Sequence, residues 1–261
     1  MVAFAAAIDP LRLANRMLGH EAYTWRLAST DGKPVSASNG VQCAVNSSLE
    51  DERRMMAGPD RPSMVVVCSG VNVERFANKT VYAWLREEYN RGVAIGGLCT
   101  AAHVLASAGL LSGKRCAIHW ENLPGFAEAF PKANVFADLF EVDQNIYTCA
   151  GGTASLDMML KLIGEDFDAN LVNRVCEQVL TDRVRAPTDR QRLLGPQPRL
   201  NLRQELVGLF VQAFATQFQK LGVFVLPVHQ IPRQSRAALP CSRFDNHVRV
   251  CRTRSAAKRT A

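Results

Sequence analysis

Cys99 and His119 are the side chains of this 261-residue chain whose type and spacing point to chemistry. Cys99 lies within GVAIGGLCTAAHVLASAGLL, residues 92–111. There an apolar run at 93–95 passes through Leu98-Cys99-Thr100 into a small-residue helical pattern, so Cys99 falls where a strand hands over to a helix. Gly96 and Gly97 permit a tight turn that a Cβ would resist, and the following helix aims unpaired N–H groups and a positive dipole end at the sulfur. A thiol so placed is expected to ionise below its free value of about 8.5. The arrangement follows the logic of a nucleophile elbow with cysteine in place of serine. His119, in CAIHWE, comes directly after a predicted strand, at the same carboxyl edge of the sheet as the elbow. A cysteine and a histidine on one rim form a nucleophile-base pair, or the floor of a small-ligand pocket.

To hold that pair, the chain must supply strands that end at one edge and helices that back them. Residues 64–68 (MVVVC) are continuously apolar, as in a strand buried on both faces of a parallel sheet. Residues 72–90 place Val73, Ala77, Val81 and Leu85 in one i, i+4 row with Phe76 and Trp84 beside it, which predicts an amphipathic helix stopped at Gly92. With the strand at 93–95 this makes a right-handed parallel crossover. Upstream, residues 1–18 carry Phe4, Ile8, Leu11, Leu13 and Leu18 at helical spacing, with a break or kink near Asp9 imposed by Pro10. Residues 23–29 alternate like a strand, 34–43 form an extended segment broken at Asn39-Gly40, and the charged stretch 50–62 reads as surface loop. Downstream, short strands at 116–118, 135–136, 140–142 and 146–150 mix with helices at 121–130, 154–163 and 169–181. The fold class is therefore α/β: a doubly wound, mostly parallel sheet flanked by helices, flavodoxin-like.

Charge divides the chain. Residues 1–182 carry 16 Lys+Arg against 21 Asp+Glu, whereas 183–261 carry 15 against 3, so the overall +7 belongs to the tail. A nucleic-acid footprint on the folded part is not expected. No apolar run reaches membrane-span length and no signal-peptide pattern opens the chain, which reads as cytoplasmic. The eight cysteines are scattered, without CxxC pairs or zinc spacing, so neither a metal nor a disulfide framework is expected. Cys68, Cys116 and Cys149 read as small buried hydrophobes.

Four segments, taken together, carry a resemblance: DPLRLANR (9–16), TDGKPVSASNG (30–40), GGLCTAAHVLASAGLLSGKRCAIHWE (96–121) and CAGGTASLDMMLKLI (149–163). In this order they resemble the PfpI-like branch of the class I glutamine amidotransferase-like superfamily. They are more similar still to the amidase-like sensor domain of GlxA-type members of the AraC family of transcription regulators. The likeness spans residues 1–192. It implies a PfpI-like fold whose enzymes use a cysteine, a neighbouring histidine and an acid from the start of the first helix. Cys99 and His119 match the first two positions, but residues 4–8 are all apolar and Asp9 comes later, beside Pro10. The departure argues against hydrolysis and for a pocket that binds ligand.

What the resemblance implies for function is a domain that senses a small amine or quaternary ammonium metabolite, such as carnitine, glycine betaine, a choline-derived amine or arginine. The expected ligand-binding residues are Gly97, Cys99, Thr100, His119 and Trp120, with Trp84 and Glu121 as further sources of cation–π or charge contact. No cofactor is expected; the partners are the effector, DNA in the full-length family, and a second copy as homodimer. The alternative is a PfpI-like cysteine hydrolase or hydratase using Cys99 and His119, and a third reading is a non-catalytic oligomeric interaction protein. His103, one turn into the elbow helix, reads as a helix-face residue, and Asp157 as a structural acid bonding a nearby backbone group.

Regulators of this type continue into two helix-turn-helix units. Only 68 residues follow Leu193, and they lack that pattern. Residues 193–261 are thus expected to be a basic tail of little order with one amphipathic helix at 201–221, reading as a shifted frame or truncation. The resemblance also implies a first, central strand before Met1, and its loss leaves a neighbouring strand with an unpaired edge.

Overall fold

A computed structural model describes residues 1–55, 58 and 61–191 and the backbone of 224–230. Helix α1 (Val2–Leu18) opens the chain and runs unbroken through Pro10, ending at Gly19 in the left-handed conformation. The expected break is absent. Ala7, Leu11 and Ala14 are wholly buried on one stripe, and that packing outweighs the hydrogen bond that the proline ring cannot donate. Strands β1 (Tyr23–Trp25) and β2 (Ala28–Ser29) divide the expected strand in two. β3 (Val35–Ser36) and β4 (Gln42–Cys43) pair antiparallel around the Asn39-Gly40 turn.

After β5 (Ser47–Ser48) the expected loop is instead a helix, α2 (Leu49–Met55). Its Glu52 is wholly buried, held by a two-pronged pair with Arg26 at 2.8 and 3.1 Å and by the Ser47 hydroxyl at 2.6 Å. The charges that suggested a loop are therefore partly internal ties. Next come β6 (Met64–Ser69) and α3 (Lys79–Asn90). The amphipathic helix begins later than its apolar row implies, because the Asn78 side chain accepts from the backbone N–H groups of Thr80 and Val81 and caps it there.

The remaining elements are β7 (Ala94–Cys99), α4 (Ala102–Ser107), β8 (Arg115–Ala117), α5 (Leu123–Ala129), β9 (Asn134–Phe136), β10 (Phe140–Asp143), β11 (Ile146–Cys149), α6 (Ala154–Asp166), α7 (Ala169–Val179) and β12 (Phe224–Gln230). The main sheet runs β10-β11-β7-β6-β12-β2-β5, with β1 also on β12. Its centre, β11, β7 and β6, is parallel. Along β6 the side chains alternate: Met64, Val66 and Cys68 pack with α1, α6 and α7, while Val65 and Val67 pack with α3, α4 and α5. Both faces are thus buried, as a continuous apolar run requires.

β12 runs antiparallel between β6 and the β1–β2 edge. The place beside β6, expected to be an open edge, is filled by residues expected to have little order. Pro227 pairs with Val65 on the β6 side and lies opposite the gap between β1 and β2, whose recorded pairs are Trp25 with Val228 and Ala28 with Val225. A proline is tolerated in a strand where the ladder is interrupted. The expected helix at 201–221 lies outside the described residues. Among those described, no helix is long and apolar enough to cross a membrane.

Candidate functional site

Cys99 ends β7 with φ +62°, a left-handed backbone that a non-glycine residue rarely adopts. The turn is therefore made by the cysteine itself, and Gly96 and Gly97 lie within the strand. Their lack of side chains serves packing: a Cβ on Gly96 would sit 3.0 Å from Met64 and Val66, and one on Gly97 3.1 Å from Leu105 of α4. Gly97 supports the elbow from beneath. Gly151, at φ +86°, rests directly on the elbow, since a Cβ there would lie 2.6 Å from Cβ of Cys99 and 3.0 Å from its sulfur. In the sequence Gly151-Gly152 stands within the CAGGTASLDMMLKLI segment, and a glycine pair after a strand end is the signal that marks it.

The sulfur is not the acidic thiol expected. Burial, reinforced by the neighbouring Cys149 thiol, pushes Cys99 up to about 11, and a hydrogen bond from the Thr100 backbone offsets only part of this. The helix behind it is six residues long and starts at Ala102, too short and too far along to deliver the dipole that the sequence suggested. Cys68, Cys116 and Cys149 are buried free thiols, as read.

Thr100 is 4% exposed and its hydroxyl is already engaged, donating to the Gly70 carbonyl at 2.7 Å and bonded to Ser69 Oγ at 2.8 Å. It fixes the loop after β6 against the elbow. His119 reaches the site from β8, which belongs to a small two-stranded sheet with β9 and not to the main sheet. The Ala117 N–H donates to Thr148 Oγ1 of β11 at 2.9 Å and holds β8 in place. The backbone N–H of His119 then donates to the Cys99 carbonyl at 3.3 Å.

So the pair is adjacent, but the imidazole faces elsewhere: Nδ1 accepts from the Glu121 N–H at 3.4 Å and lies 3.7 Å from its carboxylate. Trp120 stands beside it, ring centroids 5.6 Å apart, and is 38% exposed. Glu74, bonded to Asn122 at 3.2 Å, adds a second carboxylate to this rim.

The other candidates are elsewhere. Trp84 is wholly buried in the core of α3. Asp9 is exposed and paired with Arg12 at 2.8 Å, so it supplies no acid to Cys99. Among the described residues no carboxylate or imidazole bonds the sulfur. His103 packs edge-on to Phe130, with centroids 4.9 Å apart, and burial lowers its basicity. Asp157 is 3% exposed and accepts from the backbone N–H and guanidinium of Arg185, at 2.9 and 2.6 Å, a structural role.

A mixed sheet with a parallel centre, helices on both faces and a strained cysteine at the end of a central strand define a class. Residues 7–165 match the DJ-1/PfpI family, and the chain belongs to it. Its relatives include the HTH-type transcriptional regulator GbdR of Pseudomonas aeruginosa, 34% identical over 272 residues that cover 100% of this chain and 71% of that protein. Another is the HTH-type transcriptional regulator CdhR of the same organism, 38% identical over 193 residues, 74% of this chain and 55% of that protein. The crystal structure of an AraC family transcriptional regulator from Pseudomonas putida superposes with a TM-score of 0.60 at 25% identity, over 69% of this chain and 93% of that one.

Proposed function

We propose that this chain is the effector-sensing part of an AraC-type transcription regulator, and that the effector is a small amine or quaternary ammonium compound bound at Cys99, Thr100, His119 and Trp120, with Gly97 beneath them. The observation that carries the reading is the state of Cys99: its thiol is half-buried and driven toward the neutral form, and the nearest imidazole is turned to Glu121. Such a thiol is a poor nucleophile at neutral pH. What the rim offers is an exposed indole with Glu121 next to it in the chain and Glu74 bonded to Asn122, acidic groups and an aromatic face of the kind that attract an organic cation. The likeness to helix-turn-helix regulators supports a sensing role for this family domain.

Thermal unfolding in the presence of carnitine, glycine betaine, choline and arginine tests it. A ligand at about a hundred times its dissociation constant stabilises by about 2.7 kcal/mol, and the shift should vanish in Trp120→Ala. No shift from any of the four would refute the amine reading.

The left-handed backbone at Cys99 is the feature that favours a cysteine hydrolase or hydratase instead. That reading requires turnover abolished by Cys99→Ser.

A further inference from the structure

Residues 183–191 lie across the end of the sheet that carries the site, and three separate ties hold them there. The first is Arg185. Its backbone N–H and guanidinium bond Asp157, and Nη2 also donates to Thr153 Oγ1 at 2.7 Å, two residues from the Gly151 that rests on Cys99. The second runs through Leu139, whose N–H donates to the Pro187 carbonyl at 2.8 Å and whose carbonyl accepts from Ala150, the residue before Gly151, also at 2.8 Å. A bridge between Asp138 and Arg190 extends this contact. The third is Gln191, whose side-chain amide donates to the carbonyls of Ile118 at 3.0 Å and Asp138 at 2.8 Å. Ile118 immediately precedes His119.

The first and third ties land within two residues of Gly151 or His119, both in contact with Cys99, and the second reaches Gly151 through the Leu139–Ala150 hydrogen bond. The segment is also shaped from within: Arg183 pairs with Asp189 at 2.9 Å, and Asp189 accepts from the Ala186 N–H at 3.2 Å. These ties bind residues 183–189 to one another as well as to their seat. Its seat is not fully satisfied, because the side-chain oxygen of Gln191 is buried without a partner. A seat with an unmet polar group is held less firmly than a closed network, and a small change in its acceptors moves it.

We infer that residues 183–191 form a strap coupled to the Cys99 site, so that the state of the site sets how the strap is seated and the strap passes that state to the chain after residue 191. This rests on the sensing role proposed above. Arg185 and Gln191 are its positioning residues. Coupling between two sites is reciprocal, so loosening the strap must alter Cys99.

The test uses the full chain and the rate of Cys99 alkylation by iodoacetamide, read on the Cys99 peptide by mass spectrometry. Gln191→Ala, and independently Arg185→Lys, which keeps the charge on Asp157 but removes the fork to Thr153, should change that rate by about threefold or more. The exposed control Lys161→Ala should not. Unchanged rates in both variants, each folded by its melting curve, would overturn the strap. Amide exchange with glycine betaine and carnitine separates the two proposals. Protection at His119 with no change at Leu139 or Arg185 defeats the coupling and leaves sensing intact. A threefold alkylation effect, together with no thermal shift from any of carnitine, glycine betaine, choline and arginine, supports the strap and defeats the amine reading.

Discussion

Gly151 and Cys99 press against one another at the elbow, and both occupy left-handed backbone conformations. A methyl group on Gly151 would have to enter space held by backbone and Cβ atoms, with no flexible side-chain tip to yield. Gly151→Ala should therefore destabilise the fold by about 2 kcal/mol, lowering the melting temperature by roughly 4–8 °C for a protein of this size. A melting curve within a degree or so of the wild type would show that the elbow relaxes freely. The thiol itself predicts a pH effect. Cys99 sits at about 11 in the folded chain, above the free value of about 8.5. The neutral thiol is thus favoured by folding, and its contribution is complete below about pH 8.5 and is lost as pH rises toward 11. Urea unfolding at pH 8 and pH 10.5 should show the wild type losing about 1–2 kcal/mol more than Cys99→Ala across that interval, and equal losses would place the thiol in solvent.

At the scale of elements, α2 shows how a side chain can decide what composition leaves open. Ser48 Oγ accepts the Asp51 N–H at 3.1 Å, while the Asp51 carboxylate accepts the Ser48 N–H at 3.0 Å and its hydroxyl at 2.6 Å. This reciprocal box begins a helix in a stretch whose charges and turn formers suggested a loop. Ser48→Ala should cost about 1 kcal/mol, measured as a lower urea midpoint at unchanged slope; an unchanged midpoint would mean that the Arg26–Glu52 pair alone holds α2. The strands at the centre of the sheet were legible because their residues are apolar without interruption, and the helices because their apolar rows repeat. What local sequence could not convey was anything fixed by distant partners: the unbroken course of α1 through Pro10 and the placement of β12 beside β6. The same holds at the site. Cys99 and His119 were found by type and spacing, whereas the direction of the imidazole, the half-buried thiol and the engaged Thr100 hydroxyl depend on neighbours from β6, β11 and the segment after β8.

Across the whole chain, charge and family likeness are distributed unevenly, and this bears on what the protein can do with DNA. The match to the DJ-1/PfpI family ends at residue 165, within the part of the chain that carries more acid than base, while residues 183–261 hold 15 Lys+Arg against 3 Asp+Glu. The two helix-turn-helix regulators reported above extend beyond what this chain spans, which is 71% of GbdR and 55% of CdhR. We propose that these basic side chains bind duplex through phosphates alone, and such binding depends on the release of condensed counterions. The expected result is therefore association with any duplex at low salt that weakens by about a thousandfold or more between about 50 and 200 mM salt if six or more phosphates are contacted. Fluorescence anisotropy with two unrelated duplexes of equal length reads this directly. The two should give the same affinity at each salt concentration and the same steep slope. Affinity for one sequence that persists at the higher salt while the other is lost would require side chains reading base edges, and with them a recognition element within residues 192–261.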